Sequence, residues 1–246
     1  ELLQKVASTS LTGRAAGSDK RFAAMLVEAL ALVTHETESG IRCEAEDVLF
    51  EKLEDSTIND TRMVMGVFWR QRIPMERMAG IKENAKVALL NCDIKQRETK
   101  RDTEIELQSA EDLQKFIAIH EQTLAEIADK IIATDAEIIC SSGDIDRIVL
   151  HRLAAAGKVV IHDVEQKQLA HLAQASGAKL VEHLDDLSSD NLGLVGRFEA
   201  QRRLATDEVQ DRIIFDECAG PLVTILVGGA MGAEETIRGM YDALRA

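Results

Sequence analysis

The sequence predicts an α/β fold with parallel strands, on three observations. Residues 136–182 repeat one unit: strand at 136–140, helix at 144–156, strand at 158–162, helix at 165–176 and strand at 179–182, with Gly157 and Gly177 closing the two helices. Such βαβαβ alternation is the signature of parallel strands joined by helical crossovers. Further strand candidates flank this unit, at 86–90 on one side and at 212–215 and 222–227 on the other. Helical patterns occupy both ends of the chain, which suits a domain assembled from the two termini around a middle insertion.

The elements follow in order. Leu2, Leu3 and Val6 open a first helix, and Thr9-Ser10-Leu11-Thr12-Gly13 interrupts it with cap and turn chemistry. A second helix carries Phe22, Met25, Leu26, Ala29, Leu30 and Val33 at three- and four-residue spacing, and Gly40 follows its end. Residues 41–53 read as short strands. Residues 103–107 (Thr-Glu-Ile-Glu-Leu) alternate with period two, as a strand does. A long helix begins near Ser109, where Ser109-Ala110-Glu111-Asp112 supplies a cap and an acidic first turn. Its residues Leu113, Phe116, Ile117, His120, Leu124, Ile127 and Ile131 trace one face. After the repeated unit and the last strands, Gly228-Gly229 leads into a closing helix at 233–244.

The 246 residues suffice for one large domain or two small ones. Lys and Arg number 29 against 43 Asp and Glu, a formal charge of -14, so the surface repels phosphate backbones and nucleic acid is not an expected partner. No run is long enough to span a bilayer, since Glu28 breaks the apolar stretch 22–33, and no leader precedes a cleavage site. No membrane partner is expected. Cys43, Cys92, Cys140 and Cys218 are far apart, without a CxxC pair, and read as free thiols of a reducing cytosol rather than as a metal site. The six histidines are scattered and read as surface or packing residues. The chain begins at Glu1 rather than Met, which reads as a piece of a longer protein.

Residues 63–78 hold Met63, Met65, Met75 and Met78, with Phe68, Trp69 (the only tryptophan), Ile73, three arginines (Arg70, Arg72, Arg77) and Pro74. Met63, Met65 and Val67 fit a core and an adaptable surface equally. Residues 69–78, crowded with arginines and a proline, read as exposed and adaptable, because methionine and aromatic side chains suit partners of many shapes. Gly228-Gly229 could cradle a phosphate, but neither GxGxxG nor GxxxxGK[ST] occurs, so a packing turn is the better reading. Asp185-Asp186 and Asp144/Asp146 read as caps or solvated charges, and Asp242 on its own residues is an exposed helical carboxylate.

Several stretches, in order, resemble group II chaperonins of the thermosome type: Thr9-Ser10-Leu11-Thr12-Gly13-Arg14; Glu83-Asn84-Ala85-Lys86-Val87-Ala88-Leu89-Leu90; residues 94–131; Ala175-Ser176-Gly177-Ala178; Leu184-Asp185-Asp186-Leu187; Phe215-Asp216-Glu217-Cys218; Thr224-Ile225-Leu226-Val227-Gly228-Gly229; and Tyr241-Asp242-Ala243-Leu244. The resemblance implies a swivelling β/β/α apical domain with a helical protrusion at 66–218, inserted in a small α+β intermediate domain made of 1–65 and 219–246. It implies an ATP-driven, cytoplasmic, double-ring chaperone that captures unfolded clients, with ATP and Mg used by the full-length protein and neither bound by this portion, whose sequence lacks the family's glycine-rich nucleotide loops. Asp242 matches the aspartate that activates water for ATP hydrolysis. Arg14 falls where the family carries a lysine that senses the terminal phosphate, and a planar guanidinium there alters the geometry. Client-binding or lid positions are Phe68, Trp69, Ile73, Met75, Met78 and Phe116. The chain departs from the family pattern at Val67-Phe68-Trp69, at Met75 to Ala79 and at Val227, as a divergent paralogue would. A non-ATPase adaptor that keeps only a chaperonin-like apical domain is the alternative. A small-molecule enzyme on the βαβαβ core would need a cluster of perturbed acid–base groups, which the sequence does not display.

Overall fold

A computed structural model of the chain describes residues 2–13, 17, 20–37, 40–95, 110–202, 211–229 and 232–245. The two ends of the chain share one core. Helices α1 (Leu2–Leu11) and α2 (Lys20–Val33) precede a short hairpin, β1 (His35–Thr37) and β2 (Gly40–Arg42), and then strand β3 (Val48–Leu53) and strand β4 (Arg62–Val64). From the other end come β12 (Val223–Gly228) and α6 (Ala233–Leu244). Strand β12 is the centre of a three-stranded sheet, parallel to β3 and antiparallel to β4. All six of its residues are buried, which is why Val-Thr-Ile-Leu-Val runs apolar without alternation. Phe22, Leu26, Val33, Val223, Ile225, Val227 and Met240 build the core of this smaller body.

The larger body holds the rest. Its sheet runs β5-β11-β10-β6-β7-β8, built from β5 (Val67–Arg70), β6 (Gly80–Leu90), β7 (Ile138–Ser141), β8 (Val159–Ile161), β10 (Gly193–Gln201) and β11 (Arg212–Asp216). The short β9 (Leu180–Val181) also pairs with β6. The predicted parallel unit is present: β6 runs parallel to β7 and β9, and β7 parallel to β8. Helices α4 (Arg147–Ala155) and α5 (Gln166–Ser176) are the crossovers, and Gly177 closes α5 at φ 74°, a conformation that favours glycine. The remaining pairs, from β6 through β10 and β11 to β5, are antiparallel.

The predicted exposed segment at 69–78 is instead a strap across this core. Trp69 is 2% exposed and meets Phe215 edge-on at 4.7 Å, while Ile73 and Met78 are equally enclosed. Phe68 points to the other face, into a small cluster with Leu53, Val64, Ile214 and Leu226 that joins the two bodies. Met75 is partly buried against the main core. The arginines turn outward: Arg70 pairs with Glu51 and Glu54, and Arg77 donates to the His151 carbonyl at 3.3 Å. The Ile73 N–H donates to the buried Asp211 carboxylate at 2.8 Å, so the irregular backbone around Pro74 is held by the core.

Helix α3 (Ala110–Ala133) is the long helix the periodicity predicts, and its 24 residues span roughly 36 Å. Its apolar face divides. Leu124, Ala128 and Ile131 are fully buried, whereas Leu113, Phe116, Ile117 and Ile119 stand in solvent. The predicted strand at 103–107 lies outside the described residues.

Candidate functional site

Two surfaces carry the predicted site residues. The first is the outer face of α6. Ala233, Thr236, Gly239, Met240 and Ala243 point inward at helical spacing against α1, α2 and the three-stranded sheet. That packing leaves Glu234, Arg238, Tyr241, Asp242 and Arg245 exposed. Glu234 and Glu235 occupy the first turn, where the helix dipole favours negative charge. Tyr241 meets Phe50 edge-on at 6.3 Å, and the Arg245 guanidinium lies 4.7 Å from the Tyr241 ring centre. Arg245 also pairs with Glu46 at 2.9 Å, and that hydrogen bond holds the Glu46 carboxyl below its usual range. Asp242 is therefore an exposed carboxylate on a helix whose opposite face is packed into the core of the smaller body. Arg14 lies outside the described residues. Of the two glycines ahead of α6, Gly228 ends β12 in close packing, where a side chain would collide with the Thr57 carbonyl and the N–H donates to Thr61 Oγ1 at 3.1 Å, whereas Gly229 has open space around it and a positive φ of 122°.

The second surface is the exposed half of α3. Phe116 is 46% and Ile119 63% exposed, with Leu113 and Ile117 beside them. Among the described residues, four large apolar side chains stand exposed on two successive turns of a helix whose other half is anchored in the core. Of the six predicted client-binding residues, Phe116 lies on this stripe; Phe68, Trp69, Ile73 and Met78 are buried and Met75 is partly so. Leu113 and Ile117 were read from periodicity as helix-face residues but not as a binding surface, and Ile119 falls off that face; only burial separates the two halves.

One cluster was not legible beforehand. At the carboxyl ends of β7 and β8, Asp144, His162 and Asp163 bring potential metal-ligating atoms within 4.8 Å of one another. His162 Nδ1 lies 2.7 Å from Asp163, and the Lys95 ammonium lies 2.7 Å from Asp144. The bond from Lys95, with a second from the Ile145 N–H, holds the Asp144 carboxyl below its usual range. The lysine already supplies the cation that this exposed cluster attracts. Asp146, by contrast, caps α4, accepting from the Ile148 N–H at 2.7 Å.

An α/β body inserted into a smaller body made from both chain ends, with a helix projecting from it, defines a class. A model of the TCP-1/cpn60 chaperonin family matches residues 1–246, and the chain belongs to that family. Within it, the chain is 33% identical over 249 residues to a thermosome subunit of Pyrococcus horikoshii, covering 100% of this chain and 45% of that protein. It is 34% identical over 248 residues to a thermosome subunit of Methanopyrus kandleri, covering 99% and 45%. Among solved structures, an open-state monomer of a group II chaperonin from Methanococcoides burtonii matches with a TM-score of 0.75 at 22% identity, covering 99% of this chain and 55% of that one. The chain thus spans about half the length of the relatives it matches. Among the described residues, no helix is long and apolar enough to cross a membrane.

Proposed function

We propose that this chain is the client-capturing and closure-transmitting portion of an ATP-dependent, ring-forming chaperonin subunit of the cytoplasm. The larger body would act as the apical domain at 66–218, and the smaller as an intermediate domain made of 1–65 and 219–246. The observation that supports this reading best is α3 itself, buried in the core at one end and exposing large apolar side chains at the other. Unfolded polypeptides expose apolar side chains in no fixed arrangement, and a projecting stripe of Leu113, Phe116, Ile117 and Ile119 suits them because it demands no matching shape. The same stripe, brought together with its copies in a ring, would serve as a lid.

On the resemblance to the family, ATP and its magnesium would be held by a part of the full-length protein other than this chain, whose sequence has neither GxGxxG nor GxxxxGK[ST]. Asp242 would take a proton from the water attacking the terminal phosphorus once α6 is carried to the nucleotide. Its exposed position on a rigidly packed helix is compatible with that role.

The test is aggregation of a denaturant-unfolded model protein, with this chain and with a variant carrying Leu113, Phe116, Ile117 and Ile119 as serines. Suppression by the parent and its loss in the variant, with unchanged thermal stability, supports the reading. Equal suppression by both removes α3 from client capture.

A further inference from the structure

A crevice of about 530 Å³ opens between α5, which belongs to the larger body, and β3 and α6, which belong to the smaller. Its volume falls in the range that small-molecule sites occupy, about 300–1,000 Å³. The apolar wall comes from Val48, Leu49, Phe50, Ile237 and the Tyr241 ring. Two cations, Lys167 from α5 and Arg238 from α6, stand at its rim. Neither makes an ion pair among the described residues, although the chain carries a net charge of -14. The rim carboxylates are occupied: Glu46 by Arg245 at 2.9 Å and Glu234 by Lys52 at 3.5 Å. Glu234, Glu235 and Asp242 stand one turn either side of Arg238 on α6, but with no ion pair to either rim cation among the described residues both remain open to an incoming anion.

We infer that this crevice binds a small anionic amphiphile, with one anionic head between Lys167 and Arg238 and an alkyl or single-ring body against Phe50, Ile237 and Tyr241. An apolar wall alone would accept any greasy molecule, and two cations alone any anion. Together they select molecules that carry both features. His171 also lines the crevice, and burial, then the neighbouring Lys167 charge, lower its pKa. That shift, against the opposing pull of Asp47, favours the neutral ring, which offers a hydrogen bond without adding charge. A molecule seated here touches both bodies at once, beside the hydrogen bond that Gln174 of α5 donates to Asp47 at 2.6 Å.

The test uses decanoate as the probe and decyltrimethylammonium, with the same alkyl body and the opposite charge, as its counterpart. Isothermal titration calorimetry is expected to show saturable binding of one decanoate, with the cation binding at least tenfold more weakly. Lys167→Glu and Arg238→Glu are each expected to weaken decanoate by about tenfold, the worth of one charge-assisted hydrogen bond. Glu234→Lys is expected to tighten it several-fold. All three side chains are exposed, so far-UV circular dichroism should match the parent. Phe116→Ser with Ile119→Ser, on the α3 stripe, should leave decanoate binding unchanged. No saturable binding, equal binding of the cationic detergent, indifference to all three rim variants, or loss of binding in the α3 variant would each overturn the assignment.

Discussion

Replacing Trp69 by alanine separates two opposite readings of residues 69–78. An exposed, adaptable segment predicts a stability change within about 0.5 kcal/mol, because surface substitutions rarely do more. The structure predicts a large loss. Trp69 is 2% exposed, its ring meets Phe215 at 4.7 Å, and Phe215 in turn meets the tilted ring of Phe198 at 5.2 Å. Burying a tryptophan removes roughly 200–250 Å² from water, worth up to about 5–6 kcal/mol at 25 cal/mol per Å². Truncations of buried Phe and Trp to alanine cost about 3–5 kcal/mol, since the cavity collapses only in part. For a chain of this size that corresponds to a melting temperature lower by roughly 10 °C. Trp69 is the only tryptophan, so its own fluorescence cannot follow the variant, and urea unfolding is monitored by far-UV circular dichroism. Phe116→Ala, on the exposed half of α3, is the internal control and should fall within about 0.5 kcal/mol of the parent. A Trp69→Ala midpoint indistinguishable from the parent's would refute the core placement of the strap.

Three further outcomes follow from the same structure. At pH 8 a thiol reagent should modify exposed Cys43 quickly and leave Cys140 and Cys218 until the chain unfolds. Burial raises both buried thiols, Cys218 to about 12, so little thiolate is present; rapid labelling of either in the folded protein would contradict their placement. Asp144 titrates below an ordinary carboxylate, so its bridge to Lys95 is intact above the unfolded value of about 3.9 and is lost as pH falls through the depressed folded value. Lys95→Ala should move the Asp144 midpoint upward in a carboxyl-carbon NMR titration, and an unmoved midpoint would remove the lysine as the cause. In the full-length ring protein proposed above, Asp242→Ala should abolish ATP turnover while preserving ATP binding, and retained turnover would end its proposed role.

The parallel unit was legible because its strands are short apolar runs, Ile138-Ile139-Cys140 and Val159-Val160-Ile161, separated by amphipathic helices and closed by glycines. Strand β10 was not. Its nine residues include Gly193 and Gly196, which weaken a strand pattern, yet both are there because other parts of the chain approach closely: Ser176 and Ala178 at Gly193, Glu217 at Gly196. The strap at 69–78 was misread for a related reason. Composition does not say which way a side chain points: Trp69 turns in from β5 while Arg70 beside it faces out, and past the strand Ile73 and Met78 turn in while Arg77 faces out. The Asp144–His162–Asp163 cluster depends on the ends of two strands meeting, which local pattern cannot reveal. Asp242 was legible as an exposed helical carboxylate, and its exposure is what the structure adds; its proposed role rests on resemblance.

The joint between the two bodies ties these features together. The chain crosses it between β4 and β5 and again between β11 and β12. Neither crossing is a loose linker. Gly66 sits at φ 150° where a side chain would collide with the Phe215 carbonyl, Thr224 Oγ1 donates to the Gly66 carbonyl at 2.6 Å, and the Met65 N–H donates to Asp216 at 2.9 Å. Arg70 and Arg212, both from the larger sheet, clasp the end of β3 through the Lys52 and Glu54 carbonyls. Any rotation of one body against the other that parts these contacts must give up charge-assisted bonds worth about 1.5–3 kcal/mol each, together with the Gln174–Asp47 bond. Such a joint favours discrete alternative arrangements over continuous flexing, because its contacts are either made or broken. A molecule in the crevice beside Asp47 would add its own contacts to one arrangement only, and would shift the balance by no more than its difference in affinity for the two.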